Sequence, residues 1–222
     1  MRLAIWTLTL SLASVAPSAQ AAPKTEVKAL VERMQGFYEK TKDFRAEFDQ
    51  VYRYKAFNRT QSSSGWVLFK KPALMRWEYE QPSKKTFVLN GEKVYVLDPE
   101  AMTLTTGINL RSNQLSASVT FLWGRGKLGD EFKIEKTPCA VCTGTLLTLT
   151  PKVLDLRFQR VLLEVDPKTA QVLKSTVVDP DGSENVISFK NMKTNVGAEE
   201  AAFHLTPPEG TQVIDMSQIQ KP

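Results

Sequence analysis

The stretch KKPALMRWEYEQP, residues 70–82, is the most informative segment of the sequence for the fold. At a period of two residues, Met75, Trp77 and Tyr79 fall on one side of an extended chain, and mostly charged residues fall on the other. A proline near each end suits a strand that is entered and left by sharp turns. The pattern predicts a half-buried β-strand whose aromatic face contacts either a packed core or a bound molecule.

Similar strand patterns recur along the chain at short spacing. Residues 85–98 form the clearest hairpin, because Asn90-Gly91 is the dipeptide preferred in a tight type I′ turn between two apolar runs. Other short strands are predicted in 43–70, 102–107 and 131–193, separated by Asp-Pro and Asp-Gly turn signals. Roughly ten to twelve strands indicate a mainly β fold with one large antiparallel sheet, either curled or closed into a barrel.

Two segments with helical spacing accompany the strands. Residues 24–41 place apolar side chains at i, i+3, i+4 and i+7, with Thr25 as the predicted N-cap, and we expect this stripe to pack on the sheet. Residues 107–130 interrupt the strand series, and Leu115, Val119 and Leu122 recur there at helical spacing. A helical insertion in an antiparallel sheet could cap the mouth of the curled sheet.

The first residues resemble a secretory signal peptide. Arg2 precedes a short apolar run, and Ala19-Gln20-Ala21 has the small-x-small pattern of a cleavage site. We therefore expect residues 1–21 to be removed and 22–222 to form a single domain. The formal charge of the 222-residue chain is +5, but its Lys and Arg residues are scattered, which is typical of a solvated surface and not of a nucleic-acid site.

The sequence offers little for catalysis. His204 is the only histidine, and no Gly-x-Ser-x-Gly elbow accompanies it. One histidine and two cysteines are too few for a zinc site, so neither a metal nor a cofactor is expected. The Asp179-Pro180-Asp181-Gly182 stretch lacks the further ligands of a calcium loop and is interpreted as a turn.

Cys139 and Cys142 form the one motif with reactive potential. CxxC is the spacing of thioredoxin-type redox sites, which belong at a helix N-terminus in a βαβ unit. Here the pair lies between two predicted strands, so a disulfide that closes a hairpin loop is favoured. A periplasmic thiol oxidoreductase remains an alternative.

Several motifs, in order along the chain, resemble the LolA family of periplasmic outer-membrane lipoprotein carriers. They are Phe44-x-Ala46-x-Phe48-x-Gln50, Gly65-Trp66-Val67-Leu68-Phe69-Lys70-Lys71-Pro72, Met75-Arg76-Trp77-Glu78-Tyr79 with Pro82, Asn90-Gly91-x-x-Val94, Asp98-Pro99, Leu149-Thr150-Pro151-Lys152 and Phe203-x-x-Thr206-Pro207-Pro208-x-Gly210. Together they cover nearly the whole chain after the predicted signal peptide.

The resemblance implies an open β-barrel, a strongly curved antiparallel sheet covered by a lid of helices around an apolar cavity. It also implies a monomeric, non-enzymatic carrier in the periplasm. Its partners would be acylated lipoproteins, an inner-membrane Lol-type ABC transporter and an outer-membrane receptor that is LolB-like or unknown. A lipoprotein-sensing module of the same fold, similar to RseB, is the main alternative within this resemblance.

On this interpretation, the cavity wall and its lid can be assigned to particular residues. The expected wall residues are Phe48, Trp66, Met75, Trp77 and Tyr79, and the expected lid residues are Leu115, Val119 and Leu122. Periodicity alone also fits a filled core made of the same residues.

Lys71 occupies the position of a family arginine that holds the lid through backbone carbonyls. A lysine has three rotatable donors in place of a planar five-donor fork, so we expect a weaker or differently arranged latch. Replacing Lys71 should impair loading or release of cargo while the fold stays intact.

Overall fold

In the computed structural model, which describes residues 23–91, 93–109 and 127–216, twelve strands form a single sheet. The strands are β1 Asp43–Tyr54, β2 Arg59–Lys70, β3 Leu74–Gln81, β4 Lys85–Asn90, β5 Lys93–Asp98, β6 Thr103–Asn109, β7 Phe132–Lys136, β8 Thr145–Pro151, β9 Arg160–Val165, β10 Val172–Val178, β11 Glu184–Thr194 and β12 Gln212–Asp215. Their order across the sheet is β12-β6-β5-β4-β3-β2-β1-β11-β10-β9-β8-β7. Because β12 and β7 end the sheet, the curved sheet is open, and the predicted fold class is confirmed.

Helix α1, Pro23–Lys40, packs its apolar stripe on one face of the sheet, which we call the inner face. Leu30, Val31, Met34 and Tyr38 are buried there, as the helical spacing predicts. The predicted N-cap at Thr25 is wrong, since the helix already includes Pro23, and proline is well suited to the first helical turn because it lacks an N–H.

The opposite face of the sheet, here the outer face, is covered by the segment 198–205. This segment contains a short 3-10 helix, Glu200–Phe203, and packs against Leu68 and Val88 through the buried Phe203 ring. Arg76 on β3 donates a 2.9 Å hydrogen bond to the Ala202 carbonyl. The two faces of the sheet are therefore both apolar around β2, β3 and β4.

Two local features differ from the sequence-based expectations. The hairpin at 85–98 is confirmed, but Asn90 pairs with Lys93, so the turn begins one residue later, at Gly91 with φ +68°. Strand β12 was not predicted, because it is short and exposed, and it pairs parallel to β6.

Of the predicted insertion, residues 107–109 belong to β6, and a short helix α2 spans Leu128–Glu131. The predicted lid residues Leu115, Val119 and Leu122 lie outside the described residues. Among the described residues, no helix is both long and apolar enough to cross a membrane.

Gly65 allows aromatic rings from two separate strands to meet. It pairs with Phe48 on β1 and with Tyr79 on β3, next to a β-bulge. With no side chain at Gly65, the rings of Phe48 and Tyr79 approach to 5.2 Å across β2. A Cβ atom at this position would lie 1.8 Å from the carbonyl oxygen of Glu78, so no other residue fits without backbone movement.

Cys139 and Cys142 are joined as a disulfide in the loop between β7 and β8. The end of this loop is tied to β9 by Glu164, whose Oε1 accepts hydrogen bonds from the backbone N–H of Thr143 at 2.7 Å and of Gly144 at 3.0 Å.

Glu164 is buried, and Lys174 lies 3.2 Å from its Oε2 atom. Burial raises the pKa of the Glu164 carboxyl, but the hydrogen bonds from Gly144, Thr143 and Lys174 outweigh it, so the pKa lies below its ordinary value.

We expect Gly65→Ala to lower the free energy of unfolding by about 3 kcal/mol, because the new methyl group overlaps a backbone carbonyl oxygen. The matched control is Gly36→Ala in α1, where a Cβ would meet nothing within 4 Å. That substitution should raise stability by about 1 kcal/mol through helix propensity. Urea unfolding measures both, and equal stabilities for the two variants would contradict the steric account.

Glu164→Gln should cost about 1–3 kcal/mol at neutral pH, because the amide loses the ion pair with Lys174 and one acceptor oxygen. The lowered folded-state pKa means that the carboxylate stabilises the fold above its unfolded pKa, about 4.3, and loses that contribution as the pH falls through the folded value. The stability difference between wild type and variant should therefore shrink in acid. A difference that stays constant from neutral pH into acid would rule out this role for the carboxylate.

Candidate functional site

Four of the residues predicted to line a cavity share the inner face. Phe48 comes from β1, whereas Met75, Trp77 and Tyr79 alternate along β3, as the pattern in residues 70–82 predicts. The structure adds Phe189, which pairs with Phe48 across β1 and β11. We call Phe48, Trp77, Tyr79 and Phe189 the inner aromatic cluster.

The rings of the inner aromatic cluster contact one another edge to face, at a tilt or stacked. The centroid of Phe48 lies 4.7 Å from that of Trp77, and the centroid of Trp77 lies 6.4 Å from that of Phe189. Trp77 and Tyr79 are 6.5 Å apart along β3. The indole N–H of Trp77 points at the sulfur of Met75, so the polar edge of the ring is turned along the strand.

Burial differs along the inner face. Phe44 and Phe69 stack at 5.1 Å and are fully buried in the cluster that also contains the α1 stripe. Trp77, Tyr79 and Phe189 are only half-buried. Burial raises the pKa of the Tyr79 hydroxyl above its ordinary value. Beside the filled core, the inner face therefore carries a half-buried aromatic surface.

The prediction that Trp66 shares this face is wrong. Trp66 pairs with Glu47 on β1 and points to the outer face, where the Arg45 guanidinium carbon lies 4.3 Å from its ring centroid. It packs with the outer cluster around Phe203. The run from Trp66 to Phe69 is apolar at every position because both faces of β2 are covered, so alternation could not assign its faces.

Lys71 reaches the carboxyl end of α1. Its Nζ donates hydrogen bonds to the carbonyl oxygens of Tyr38 at 2.6 Å and Glu39 at 2.9 Å. Carbonyls in the last helical turn have no partner within the helix, so an ammonium group is well placed there. Burial lowers the pKa of Lys71, and the nearby Glu39 carboxylate opposes that shift. Lys71 therefore joins the connection between β2 and β3 to the carboxyl end of α1.

The remaining predicted residues lie away from the inner aromatic cluster. Cys139 and Cys142 lie in the loop that is tied to β9 through Glu164. His204 is exposed, and its carbonyl oxygen lies 3.5 Å from Arg76 at the outer face.

Phe189 and Arg76 were not predicted from the sequence as part of either face's contacts. The alternation in residues 185–193 places Phe189 on one face, but it gives no sign of a pairing with Phe48, which is 141 positions away. The alternation along β3 places Arg76 on the side opposite the aromatic residues. It does not reveal that Arg76 bonds to the Ala202 carbonyl.

The sequence is similar to those of known proteins over most of its length. Residues 39–206 match the family described as outer membrane lipoprotein carrier protein LolA. An outer-membrane lipoprotein carrier protein of Hahella chejuensis is 28% identical over 207 residues, which is 92% of this chain and 97% of the relative. One of Xanthomonas campestris is 31% identical over 159 residues, covering 71% of this chain and 75% of the relative.

An uncharacterized conserved protein from Thermus thermophilus has a similar structure, with a TM-score of 0.53 and 13% identity over 85% of this chain and 98% of the other. This likeness concerns the fold alone. The matched family spans most of the described sheet, from the end of α1 to the outer segment 198–205. The chain belongs to the LolA family of outer membrane lipoprotein carrier proteins.

Proposed function

We propose that this chain binds the acyl chains of lipoproteins on its inner face and carries them through the periplasm. It would receive them from an inner-membrane Lol-type ABC transporter and deliver them to an outer-membrane receptor, LolB-like or of another type. The observation that supports this most strongly is that Trp77, Tyr79 and Phe189 of the inner aromatic cluster are only half-buried beside a fully buried core, in a chain of the LolA family. The role requires no catalytic residue, metal or cofactor, and a monomer suffices for it.

The physical need for a carrier follows from the length of acyl chains. Each buried methylene group contributes about 0.8 kcal/mol, so a lipoprotein with several acyl chains does not leave a membrane for water unaided. An apolar surface such as that of Trp77, Tyr79 and Phe189 replaces the lipid environment without fixing the ligand in one position. Variable acyl chains can therefore share one site.

Delivery requires that the carrier also releases its cargo. A ligand moves to the next acceptor only if the carrier holds it less tightly, and a movable cover adjusts that affinity. Helix α1 covers part of the inner face, and Lys71 fixes its carboxyl end through two hydrogen bonds. We assign Lys71 the role of a latch on this helix. Export by the predicted signal peptide, residues 1–21, places the carrier in the periplasm.

The first test is retention of a triacylated lipoprotein by the purified chain, compared with the same lipoprotein without acyl chains. Only the acylated form should be retained, as measured by co-purification or native mass spectrometry. Trp77→Ala should weaken retention about tenfold, because it removes the largest ring of the inner aromatic cluster. Trp66→Ala deletes the same side chain from the outer face and should leave retention unchanged.

Failure of the folded wild-type chain to retain either form would refute acyl binding. Equal losses for Trp77→Ala and Trp66→Ala would show that the inner face is not the site. Retention without onward transfer to an outer-membrane acceptor would favour a sensing role over carriage.

Lys71→Leu should impair loading or release severalfold and lower stability by about 1–3 kcal/mol, because the Glu39 carbonyl loses its Lys71 donor and the Tyr38 carbonyl keeps only the Thr41 N–H. Lys71→Arg should retain the contact and release cargo more slowly, since guanidinium offers a fork of donors. The matched control is Lys70→Leu. The neighbouring Lys70 donates a 2.8 Å hydrogen bond to the Ala198 carbonyl at the outer face, so its loss should affect stability but not transfer. Wild-type transfer rates in Lys71→Leu would exclude a latch.

A further inference from the structure

An exposed apolar tip projects from the loop between β8 and β9. The side chains of Val153, Leu154 and Leu156 are 81%, 86% and 83% exposed, although aliphatic side chains of this size are usually buried. They lie at one rim of the sheet, beyond the end of β8 at Pro151 and before β9 begins at Arg160. We call these three residues the aliphatic tip.

The loop is anchored at both ends, so the exposure is built into the structure. At the start of the loop, Lys152 forms two hydrogen bonds to α2. Its backbone N–H donates to the Glu131 carbonyl at 2.9 Å, and its Nζ donates to the Gly129 carbonyl at 2.6 Å. At the end, Phe158 is buried, with its ring centroid 6.3 Å from that of Phe132.

Within the loop, the acidic side chain is mostly buried, whereas the aliphatic side chains are exposed. Asp155 lies between two exposed leucines, yet its own side chain is only 19% exposed. Its carboxylate accepts hydrogen bonds from the backbone N–H and the Nε of Arg157, both at 2.9 Å. The Arg157 guanidinium carbon in turn lies 5.9 Å from the Phe158 ring centroid. The charged groups are therefore paired with each other within the loop, while the aliphatic tip faces outward.

We propose that the aliphatic tip is a docking element that inserts into the surface of a lipid bilayer. A stable protein interface buries about 800 Å² on each partner, and three aliphatic side chains on a convex tip provide only a fraction of that area. A bilayer needs no complementary groove, because lipid closes around each inserted side chain. This interpretation of its purpose rests on the proposed carrier function, in which cargo leaves one membrane and enters another.

Charge near the tip fits the same partner. Residues 152–160 contain Lys152, Arg157 and Arg160 against the single acidic residue Asp155, a formal net charge of 3 − 1 = +2. Cations beside an apolar tip favour anionic headgroups. Three short side chains bind more weakly than one fatty acyl chain, so the contact is brief and reversible, as a shuttling protein requires.

A second exposed apolar residue lies at the same rim. Phe57, in the turn between β1 and β2, is 79% exposed. The end of β1 lies beside the start of β11, because Arg53 pairs with Glu184. The end of β10 lies beside the start of β9, because Val178 pairs with Arg160. The β1–β2 turn and the β8–β9 loop are therefore at the same rim of the sheet. Two strands, β11 and β10, separate β1 from β9, so the two contacts are spaced by roughly 15 Å along the rim.

The test is co-sedimentation of the chain, purified after export and removal of residues 1–21, with vesicles of phosphatidylethanolamine and phosphatidylglycerol. Replacing both leucines, Leu154→Asp with Leu156→Asp, should lower the partition coefficient about tenfold. Both side chains are almost fully exposed, so the double variant should keep wild-type stability in urea.

The matched control is Val141→Asp. Val141 is 92% exposed and lies between Cys139 and Cys142 in the β7–β8 loop, at the opposite rim of the sheet. This variant should bind vesicles as the wild type does. Loading of a triacylated lipoprotein from detergent should be the same in wild type and in both variants.

Absence of vesicle binding by the wild type, or equal binding by wild type and double variant, would overturn the proposal. Loss of transfer in the double variant with unchanged vesicle binding would also overturn it, since the tip would then contact a protein. Tip-dependent vesicle binding by a chain that does not load acylated lipoprotein would support docking while refuting the carrier function, so the two proposals fail separately.

Discussion

The structure depends on a mismatch between the area of an open sheet and the area of the helix that covers it. Twelve strands at a spacing of about 4.8 Å span roughly 50 Å, even before curvature is considered. Helix α1 has 18 residues and is about 27 Å long. One helix of this size fills the region around Phe44 and Phe69 but cannot fill the whole inner face. Among the described residues, Trp77, Tyr79 and Phe189 accordingly lie half-buried beside the filled region.

Covering both faces of the same strands has a further effect. The segment 198–205 seals the outer face over β3 and β4, so the central strands are apolar on both sides. Over these strands the outer face is covered, whereas the described part of the inner face is only partly covered. Gly65 contributes here, because its missing side chain lets Phe48 and Tyr79 form a continuous aromatic surface across β2.

Much of this arrangement could be predicted from the sequence, and the exceptions have identifiable causes. Period-two alternation assigned the faces of β3 correctly because one of its sides is largely charged. It failed for Trp66, since the run to Phe69 is apolar throughout and carries no alternation. The partner of Phe48 on β11 could not be found, because strand pairing between distant segments leaves no local pattern. The resemblance predicted a latch at Lys71 but not its partners, which the structure shows to be carbonyl oxygens at the end of α1.

Lys70 and Lys71 are adjacent in the chain, yet they support opposite covers of the sheet. Lys71 holds the carboxyl end of α1 on the inner face, and Lys70 holds Ala198 at the start of the outer segment. Both covers are thus attached to the sheet at the end of β2. Each attachment uses its own side chain, Lys71 for the helix and Lys70 for the outer segment. Either cover can therefore lose its attachment at the end of β2 while the other cover keeps its own.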